Sequence, residues 1–158
     1  MNGSVIREFR PDDLPAIQQL TVDSFAGVTL EQNVEEKLGI LADHDWRWRK
    51  ARHIDEDVDA NPSGIFVAVS ENRVVGYITT RIDREAGKGR IPNLAVAETW
   101  RGKGLGGQLI HHALDFFRSH GLAYAVIETM AQNSVGNHLY TASGFVEVAR
   151  QIHFARRL

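Results

Sequence analysis

The amino-acid sequence predicts an α/β (α+β) fold in which a twisted, mixed β-sheet is flanked by helices. Extended and helical patterns follow one another in the order β-α-α-β-β-β-α-β-α-β, with no internal repeat. Two β-rich runs, "IFVAVS" and "VVGYITTRI", are separated by a short polar turn, which predicts an antiparallel hairpin. The later run "LAYAVIET" is nearly continuously apolar, as is typical of a strand buried on both faces. Hairpin and buried strands in one chain, with helices between them, indicate a mixed sheet.

Length and composition favour one globular domain. The 158 residues are 43% hydrophobic, enough for a sizeable core, so we expect residues 1–158 to form a single domain. A formal net charge of −2 gives no overall attraction to nucleic acid or to an anionic membrane. The chain has no cysteine, no signal-peptide pattern and no apolar run of the roughly 20 residues that a membrane helix needs. We therefore expect a cytoplasmic protein without nucleic-acid or membrane partners.

The first half of the chain predicts one strand and two helices, followed by a charged stretch. Residues 4–10 alternate as in a short strand, and an amphipathic helix follows. Thr29 and Gln32 form a candidate capping box for a second helix that extends to Leu41. The highly charged residues 43–64 are expected to be partly helical and to end in a loop.

After the hairpin, the second half of the chain predicts a fourth strand, two helices and two further strands. The run "IPNLAV" is expected to be one strand with Pro92 near its beginning, because proline cannot donate to a ladder. A long helix then ends at Gly121, and a short helix is closed by Gly144. The last run, "FVEVARQIHF", alternates as a final strand, with Val146, Val148, Ile152 and Phe154 on one side.

The stretch "RGKGLGGQLIHHAL", residues 101–114, places four glycines directly before or within the start of a helical pattern. Gly102, Gly104 and Gly107 spell G-x-G-x-x-G, the dinucleotide-binding fingerprint, with Glu128 about 20 residues further on. Two observations count against that interpretation. Five residues separate the preceding strand from the first glycine, and too few residues follow to complete a Rossmann domain.

Written as Arg101-x-x-Gly104-x-Gly106, the same stretch predicts an anion site at a helix N-terminus. Unpaired backbone N–H groups and the helix dipole attract phosphate there without any particular side chain. The glycines let a pyrophosphate approach the backbone, and Arg101 and Lys103 add positive charge. The alternative is a glycine-rich turn that only packs a helix on a sheet.

A second motif, "NSVGNHLYTASGF" at residues 133–145, follows one strand later. Together the two motifs resemble the GCN5-related N-acetyltransferase (GNAT) superfamily. In that family R/Q-x-x-G-x-G/A binds the pyrophosphate of acetyl-CoA, and N-x-x-A-x-x-L-Y-x-x-x-G-F carries a tyrosine near the acetyl thioester. Asn133 and Tyr140 match the second pattern, whereas Gly136 stands where alanine is usual. The element order matches too, so the resemblance covers most of the chain outside residues 27–64.

The resemblance implies an acetyl-CoA-dependent N-acetyltransferase that moves an acetyl group directly to a primary amine. The pantetheine arm is expected along residues 94–96, with a backbone N–H near Val96 holding the developing oxyanion. The expected acetyl-CoA site consists of Leu94, Ala95, Val96, Arg101, Gly102, Lys103, Gly104, Leu105, Gly106, Gly107, Asn133, Asn137 and Tyr140.

Tyr140 and Glu128 are the expected catalytic residues. Tyr140 is the candidate general acid for the departing CoA thiolate, and an aromatic core residue is the alternative. Members of the family often carry a glutamate where this chain has Arg90. Glu128 resembles a glutamate found in N-terminal acetyltransferases of the ribosomal-protein type, and burial in an apolar strand would raise its pKa toward that of a base. A local ion pair at Glu128 is the alternative, and Glu98 or ordered water remains open as the base.

The stretch "DWRWRKARH", residues 45–53, is the most unusual part that the family pattern leaves unmatched. Trp46, Trp48 and Arg49 are candidate acceptor-binding residues, because indole and guanidinium groups suit stacking and anion binding. A solvated basic helix face whose tryptophans pack on the core is the alternative.

No metal is expected, because the seven histidines lack metal-ligand spacing. The expected partner is an amine-bearing small molecule or peptide, and a homodimer is a further expectation because dimers are common in the family. Two competing functions remain open at this point. One is a non-catalytic acyl-CoA-binding or sensing domain, and the other is a nicotinamide-binding enzyme.

Overall fold

The structure is a computed structural model that describes residues 3–158. Within that range it contains five α-helices and seven strands; compared with the predicted order there is one helix more before the hairpin, two strands more in the middle and no final strand. They are β1 (Val5–Glu8), α1 (Leu14–Phe25), α2 (Leu30–Leu38), α3 (Trp46–Ala60), β2 (Phe66–Ser70), β3 (Arg73–Ile78), β4 (Arg81–Asp83), β5 (Lys88–Ile91), β6 (Leu94–Val96), α4 (Leu105–Ser119), β7 (Tyr124–Ile127) and α5 (Ser134–Ala142). None of these helices is long and apolar enough to cross a membrane.

The strands form two sheets. The first is antiparallel throughout, in the order β1-β2-β3-β6, and the predicted hairpin is its β2–β3 pair. The hairpin turns at Glu71 and Asn72, both with positive φ, as a type I′ turn requires. The second sheet has the order β4-β5-β7, in which β4 and β5 are antiparallel and β5 and β7 are parallel. The mixed α/β architecture is therefore confirmed.

Two runs that the sequence predicts as single strands are each divided between the two sheets. "VVGYITTRI" breaks at Thr79 and Thr80, so that β3 and β4 belong to different sheets. "IPNLAV" breaks at Pro92 and Asn93, because the proline has no N–H to continue the ladder. Among the described residues, β6 pairs with β3 alone and β7 pairs with β5 alone. β6 and β7 consequently each have one edge without a partner strand within the described residues.

Helices cover both faces of the first sheet. α4 packs its buried face, which includes Leu109, Ile110 and Phe117, against β2, β3 and β6. The other face packs against α1 and α3 around Ile17, Ile54 and Tyr77, which are fully buried. The close packing of α4 on the second sheet depends on Gly89, where a Cβ would lie 2.6 Å from the Phe117 ring.

The predictions for the helix bounds and the capping box in the first half of the chain are only partly confirmed. Residues 46–60 of the charged stretch form α3, and residues 61–64 follow as a loop with a short 3-10 turn, so the prediction of a partly helical stretch that ends in a loop is confirmed. α2 ends at Leu38, and the predicted capping box does not form. Gln32 instead accepts a hydrogen bond from the Gly27 N–H at 2.6 Å, since the loop before α2 folds back onto it.

The predicted final strand is wrong in this chain. Residues 146–158 form neither helix nor strand, and all four side chains of the predicted inner face are exposed. Within residues 3–158, β7 consequently has no partner strand on one edge, and the prediction that it is buried on both faces is also wrong: Tyr124 is 51% exposed.

Candidate active site

The glycine-rich turn presents free backbone N–H groups at the start of α4. Gly102 and Gly104 have φ values of 71° and 80°, a left-handed conformation that favours glycine. The N–H groups of Leu105, Gly106 and Gly107 lie in the first helical turn and have no acceptor within residues 3–158. Unsatisfied N–H groups at a positive helix end form an anion site.

The glycines of this turn have two different roles. A Cβ on Gly102, Gly104 or Gly107 would meet nothing within 4 Å, so these three border open space. A Cβ on Gly106 would lie 2.9 Å from Leu139 Cδ2, so Gly106 allows α4 to pack closely on α5. The structure also excludes the Rossmann interpretation, because the strand before the turn, β6, pairs only antiparallel with β3.

Arg101 connects the turn to the end of β6. Its Nε donates to the carbonyl of Val96 at 3.2 Å, and the side chain remains exposed. The Lys103 ammonium lies 5.2 Å from the Trp100 ring centre. Both predicted cations are therefore beside the α4 N-terminus. The predicted pantetheine-binding residues Leu94, Ala95 and Val96 constitute β6, whose edge away from β3 is open.

Tyr140 lies on α5, half-buried against the core that also contains Leu94 and Val96. Its ring packs edge-on against Phe145, with the ring centres 6.5 Å apart. The hydroxyl has no hydrogen-bond partner in the described part of the chain and is not sealed from solvent. Burial raises the pKa of Tyr140 to about 12, so its phenol remains protonated at neutral pH. Such a hydroxyl can donate to a reacting group.

Asn133 and Asn137 order the loop before α5. Asn133 Oδ1 accepts from the Gly136 N–H at 3.0 Å as an N-cap, and its Nδ2 donates to Thr129 Oγ1 at 2.9 Å. A Cβ on Gly136 would lie 2.5 Å from that same Nδ2, so this cap explains the glycine that departs from the family pattern. Asn137 Nδ2 donates to the Ala131 carbonyl at 3.3 Å.

Glu128 is not in the isolated apolar setting that the sequence suggests. It follows the last residue of β7 and pairs with Arg90, with Arg90 Nε 2.9 Å from Glu128 Oε1. Its side chain is 63% exposed. The local ion pair is thus present, because the β7 edge is open to solvent and Arg90 projects from the neighbouring β5.

The three acceptor candidates of the charged stretch are separated in the structure. Trp46 is buried at the start of α3, whereas Trp48 is exposed and stacks on His44 with ring centres 3.4 Å apart. Arg49 donates to the carbonyl of Leu41. Trp46 thus packs in the interior and Arg49 ties α3 to the preceding loop, whereas Trp48 keeps an exposed ring.

The sequence analysis did not predict a buried polar network that lies beside β6. Asp57 is 1% exposed and accepts from Thr79 Oγ1 and Asn93 Nδ2, each at 2.7 Å, and from Arg81 Nη2 at 2.9 Å. Lys50 Nζ donates to Asn93 Oδ1 at 2.7 Å. Asn93 directly precedes β6, so the network fixes the strand break. The available signal was two charged residues on the buried stripe of α3, at positions 50 and 57, between Trp46 and the helix end.

The electrostatic environment links this network to the tyrosine on α5. Burial raises the pKa of Tyr77, and Asp57 and Tyr140 each raise it further. Burial also lowers the pKa of Lys50 to about 8, although Asp57 and Glu31 act in the opposite direction. The Lys50 ammonium lies 4.1 Å from the centre of the Phe25 ring, which limits its access to water.

The low pKa of Lys50 predicts a specific pH dependence of stability. Between about pH 8 and 10.5 the unfolded chain binds more protons than the folded one, so the free energy of unfolding rises with pH. Relative to Lys50→Met, the wild type is expected to gain up to about 3 kcal/mol across this window, and nothing below it. Urea unfolding at several pH values measures this difference. Lys37→Met, at an exposed lysine of α2, is the control, and a parallel pH profile for Lys50→Met would contradict the prediction.

Three features define the class of fold: the strands form two separate sheets, a glycine-rich turn precedes α4, and one edge of β6 has no partner strand among the described residues. Together these features are typical of the α/β folds of acetyltransferases. The chain belongs to the Acetyltransferase (GNAT) family, whose sequence profile matches residues 17–145.

Individual relatives share less of the sequence. N-alpha-acetyltransferase 30 of Schizosaccharomyces pombe is 29% identical over 92 residues, which are 56% of this chain and 61% of that protein. Streptothricin acetyltransferase of Streptomyces lavendulae is 33% identical over 91 residues, 57% of this chain and 47% of that protein. The matched segment thus spans less than two thirds of either relative. The PaiA N-acetyltransferase of Thermoplasma acidophilum, solved in complex with coenzyme A, shares the fold: the TM-score is 0.70 at 20% identity, covering 88% of this chain and 87% of that one.

Proposed function

We propose that this protein is an acetyl-CoA-dependent N-acetyltransferase that acts on a primary amine of a small molecule or peptide. The observation that carries the proposal is the unpaired edge of β6 beside the N-terminus of α4. Arg101, at the start of the glycine-rich turn, donates to the last carbonyl of β6. The α5 helix that carries Tyr140 packs on α4 through Leu139 and Gly106. The candidate phosphate-binding, strand-pairing and proton-donating groups thus belong to neighbouring elements, which supports the proposal.

The residues of β6 and of the α4 N-terminus fit the cosubstrate acetyl-CoA. The N–H groups of residues 105–107 suit its pyrophosphate, with Arg101 and Lys103 adding positive charge. The open edge of β6 suits the amide groups of the pantetheine arm, because an extended chain can add to an unpaired strand. Asn133 and Asn137 act indirectly in this proposal, by holding the loop before α5. No group of three or more candidate metal ligands occurs within residues 3–158, and the proposed chemistry uses none.

The proposed acid is Tyr140, whose free hydroxyl can donate to the departing thiolate. For the base we retain Glu128 as the first candidate, with Glu98 and ordered water as alternatives. As a base, Glu128 must exchange its ion pair with Arg90 for a contact with the acceptor amine. The Glu128 side chain is 63% exposed and that of Arg90 is 40% exposed, so solvent weakens the pair and favours this exchange, which must break two hydrogen bonds.

The acceptor is proposed only as an amine. The relatives carry the names of an N-alpha-acetyltransferase and a streptothricin acetyltransferase, which favour a peptide or small-molecule acceptor. Of the sequence candidates, Trp48 retains an exposed ring that could contact it. We also propose that residues 1–158 act as one domain in the cytoplasm, which the cysteine-free composition supports.

A binding and turnover experiment tests this function. Acetyl-CoA is expected to raise the melting temperature by mass action, whereas NAD is expected to have no effect. Free CoA released in the presence of a panel of amines can then be followed with a thiol reagent, because the protein itself has no cysteine. Stabilisation by acetyl-CoA without amine-dependent CoA release across the panel would favour a non-catalytic acyl-CoA-binding domain. Stabilisation by NAD alone would refute the proposal.

Two glycine substitutions test the phosphate site. Gly107→Ala places a methyl group in open space within α4, so it is expected to stabilise the free protein by up to about 1 kcal/mol while weakening acetyl-CoA binding. Gly104→Ala forces alanine to a φ of 80° and is expected to cost about 1 kcal/mol or more of stability as well as affinity. Calorimetric titration and urea unfolding separate the two effects. Unchanged acetyl-CoA affinity in both variants would contradict a phosphate site at this turn.

A further inference from the structure

Two arginines lie directly opposite each other on the second sheet. Arg81 of β4 and Arg90 of β5 are partners in the antiparallel register, and we call them the arginine pair. Side chains in such a pair project from the same face of a sheet, with their Cβ atoms about 5 Å apart. Because like charges placed in this way repel each other, an anion that contacts both arginines stabilises the arrangement.

The carboxylates beside the arginine pair occupy only part of each guanidinium. Arg81 donates through Nε and Nη2 to Asp57, and Arg90 donates through Nε and Nη2 to Glu128. Nη1 of either arginine has no hydrogen-bond partner within residues 3–158. The two arginine side chains are 37% and 40% exposed, so a solute can reach these free donors.

The arginine pair lies on the face of the second sheet that points away from α4. Gly89 and Ile91, on either side of Arg90, lie against the core that contains α4, so the alternation along β5 directs Arg90 to the other face. Asp57, which binds one member of the pair, also accepts a hydrogen bond from Asn93. Since Asn93 directly precedes β6, the arginine pair is connected to the start of the proposed pantetheine-binding strand.

The chemistry of this pair suits a carboxylate. A guanidinium is planar and always charged, and its parallel N–H groups donate to both oxygens of a carboxylate. Members of the family often carry a glutamate at the position of Arg90, so this chain has the opposite charge there. An acidic residue at this position would repel an anionic acceptor, whereas an arginine attracts it.

We propose that Arg81 and Arg90 bind a carboxylate of the acceptor, so that the substrate class is a primary amine that also carries an acidic group. The inference rests on the proposed acetyltransferase function and narrows its acceptor. It gives each free Nη1 a partner and places an anion between the two like charges.

Binding of that carboxylate also frees Glu128, the first candidate for the base. The carboxylate of the acceptor replaces the Glu128 carboxylate at Arg90, and Glu128 then accepts a proton from the acceptor ammonium. The neutral amine forms the C–N bond to the acetyl carbon while the C–S bond of acetyl-CoA breaks, and the thiolate takes the proton of Tyr140. An acceptor of this class therefore releases its own base.

Matched acceptors test the proposal through the release of CoA. Each primary amine is offered with a carboxylate and as the corresponding primary amide: glycine against glycinamide, glutamate against glutamine, and alanyl-glutamate against alanyl-glutamine. We expect the carboxylate member of one pair or more to have a kcat/KM about tenfold or more above that of its amide. Turnover with equal kcat/KM in every pair would overturn the arginine site and leave the proposed acetyltransferase function in place.

A variant of the arginine pair and a matched control refine this test. Arg90→Gln is expected to lower the ratio of the two kcat/KM values, carboxylate over amide, by about tenfold. Lys88→Gln removes a positive charge two residues earlier on the same face of β5, and is expected to change the ratio by less than about threefold. The ratio does not depend on the folded fraction of a variant. Equal effects of the two substitutions would overturn the proposal.

A binding measurement decides the case in which no amine of the panel releases CoA. Glutarate, which has carboxylates and no amine, is titrated calorimetrically into the complex with CoA, and glutaramide is the control. Glutarate binding that Arg90→Gln weakens by about tenfold would support the arginine site and count against the acetyltransferase function alone. Equal binding of the two compounds, or binding of neither, would overturn the arginine site.

Discussion

Replacing Tyr140 with phenylalanine is expected to lower kcat by about 10²- to 10⁴-fold, the usual loss when an acid–base group is removed. The substitution deletes one hydroxyl that has no partner within the described chain and leaves the ring packed against Phe145. Stability and acetyl-CoA affinity should therefore change little. Because burial raises the pKa of Tyr140 to about 12, the phenol remains protonated over the whole practical pH range. If kcat of the wild type changes with pH anywhere below about pH 11, the titrating group must therefore be one other than Tyr140.

Tyr124→Phe is the matched control for this experiment, because Tyr124 lies exposed on β7. It is expected to retain wild-type kcat. Steady-state and single-turnover measurements on both variants separate chemistry from product release. A kcat of Tyr140→Phe within about a factor of two of wild type would show that Tyr140 is a packing residue rather than the acid.

Replacing Asp57 with alanine is expected to lower the free energy of unfolding by about 3–5 kcal/mol, as when one partner of a buried ion pair is removed. Asp57 accepts hydrogen bonds from Thr79 and Asn93, which are both buried, and from Arg81, whose side chain is 37% exposed. Its loss leaves these donors without a buried acceptor and removes the support of the strand break before β6. Acetyl transfer is expected to fall with stability, since β6 is the proposed pantetheine-binding edge.

Two further variants define the cause of this loss. Asp55→Ala removes an exposed carboxylate from the same helix, where it accepts only from Gln18, and is expected to change stability by less than about 0.5 kcal/mol. Asp57→Asn keeps the volume and one acceptor oxygen and is expected to be intermediate. Urea unfolding followed by circular dichroism measures all three variants. A loss below about 1 kcal/mol for Asp57→Ala would show that the network is not a stabilising unit.

The glycine-rich turn and α4 could be predicted from the sequence because their signals are local. Glycines at positive φ, an apolar stripe and Gly121 at the helix end all act within a few residues of one another. The tyrosine motif is equally local, since the Asn133 cap and the end of α5 lie within one short segment. The sequence indicated the division of "IPNLAV" into β5 and β6 only in part, through Pro92.

Other features depended on residues far apart in the chain. Glu128 meets Arg90 only because β5 and β7 are parallel neighbours, so its surroundings could not be inferred from the apolar run before it. Lys50 and Asp57 become partners of Asn93 and Thr79 only when α3 packs against the strand break. In the sequence they belong to a charged stretch that is typical of a solvated helix.

The sequence by itself determined the glycine-rich turn before α4, the helix α4 and the position of Tyr140 on a short helix, because helix signals and turn glycines depend on neighbours in the chain. Only the tertiary structure decided which strand edges remain unpaired. A strand's pattern specifies that it needs a partner, but not which strand supplies one. Residues 146–154 show this most clearly: they have the alternation of a strand, yet they lie exposed while one edge of β7 has no partner strand within residues 3–158.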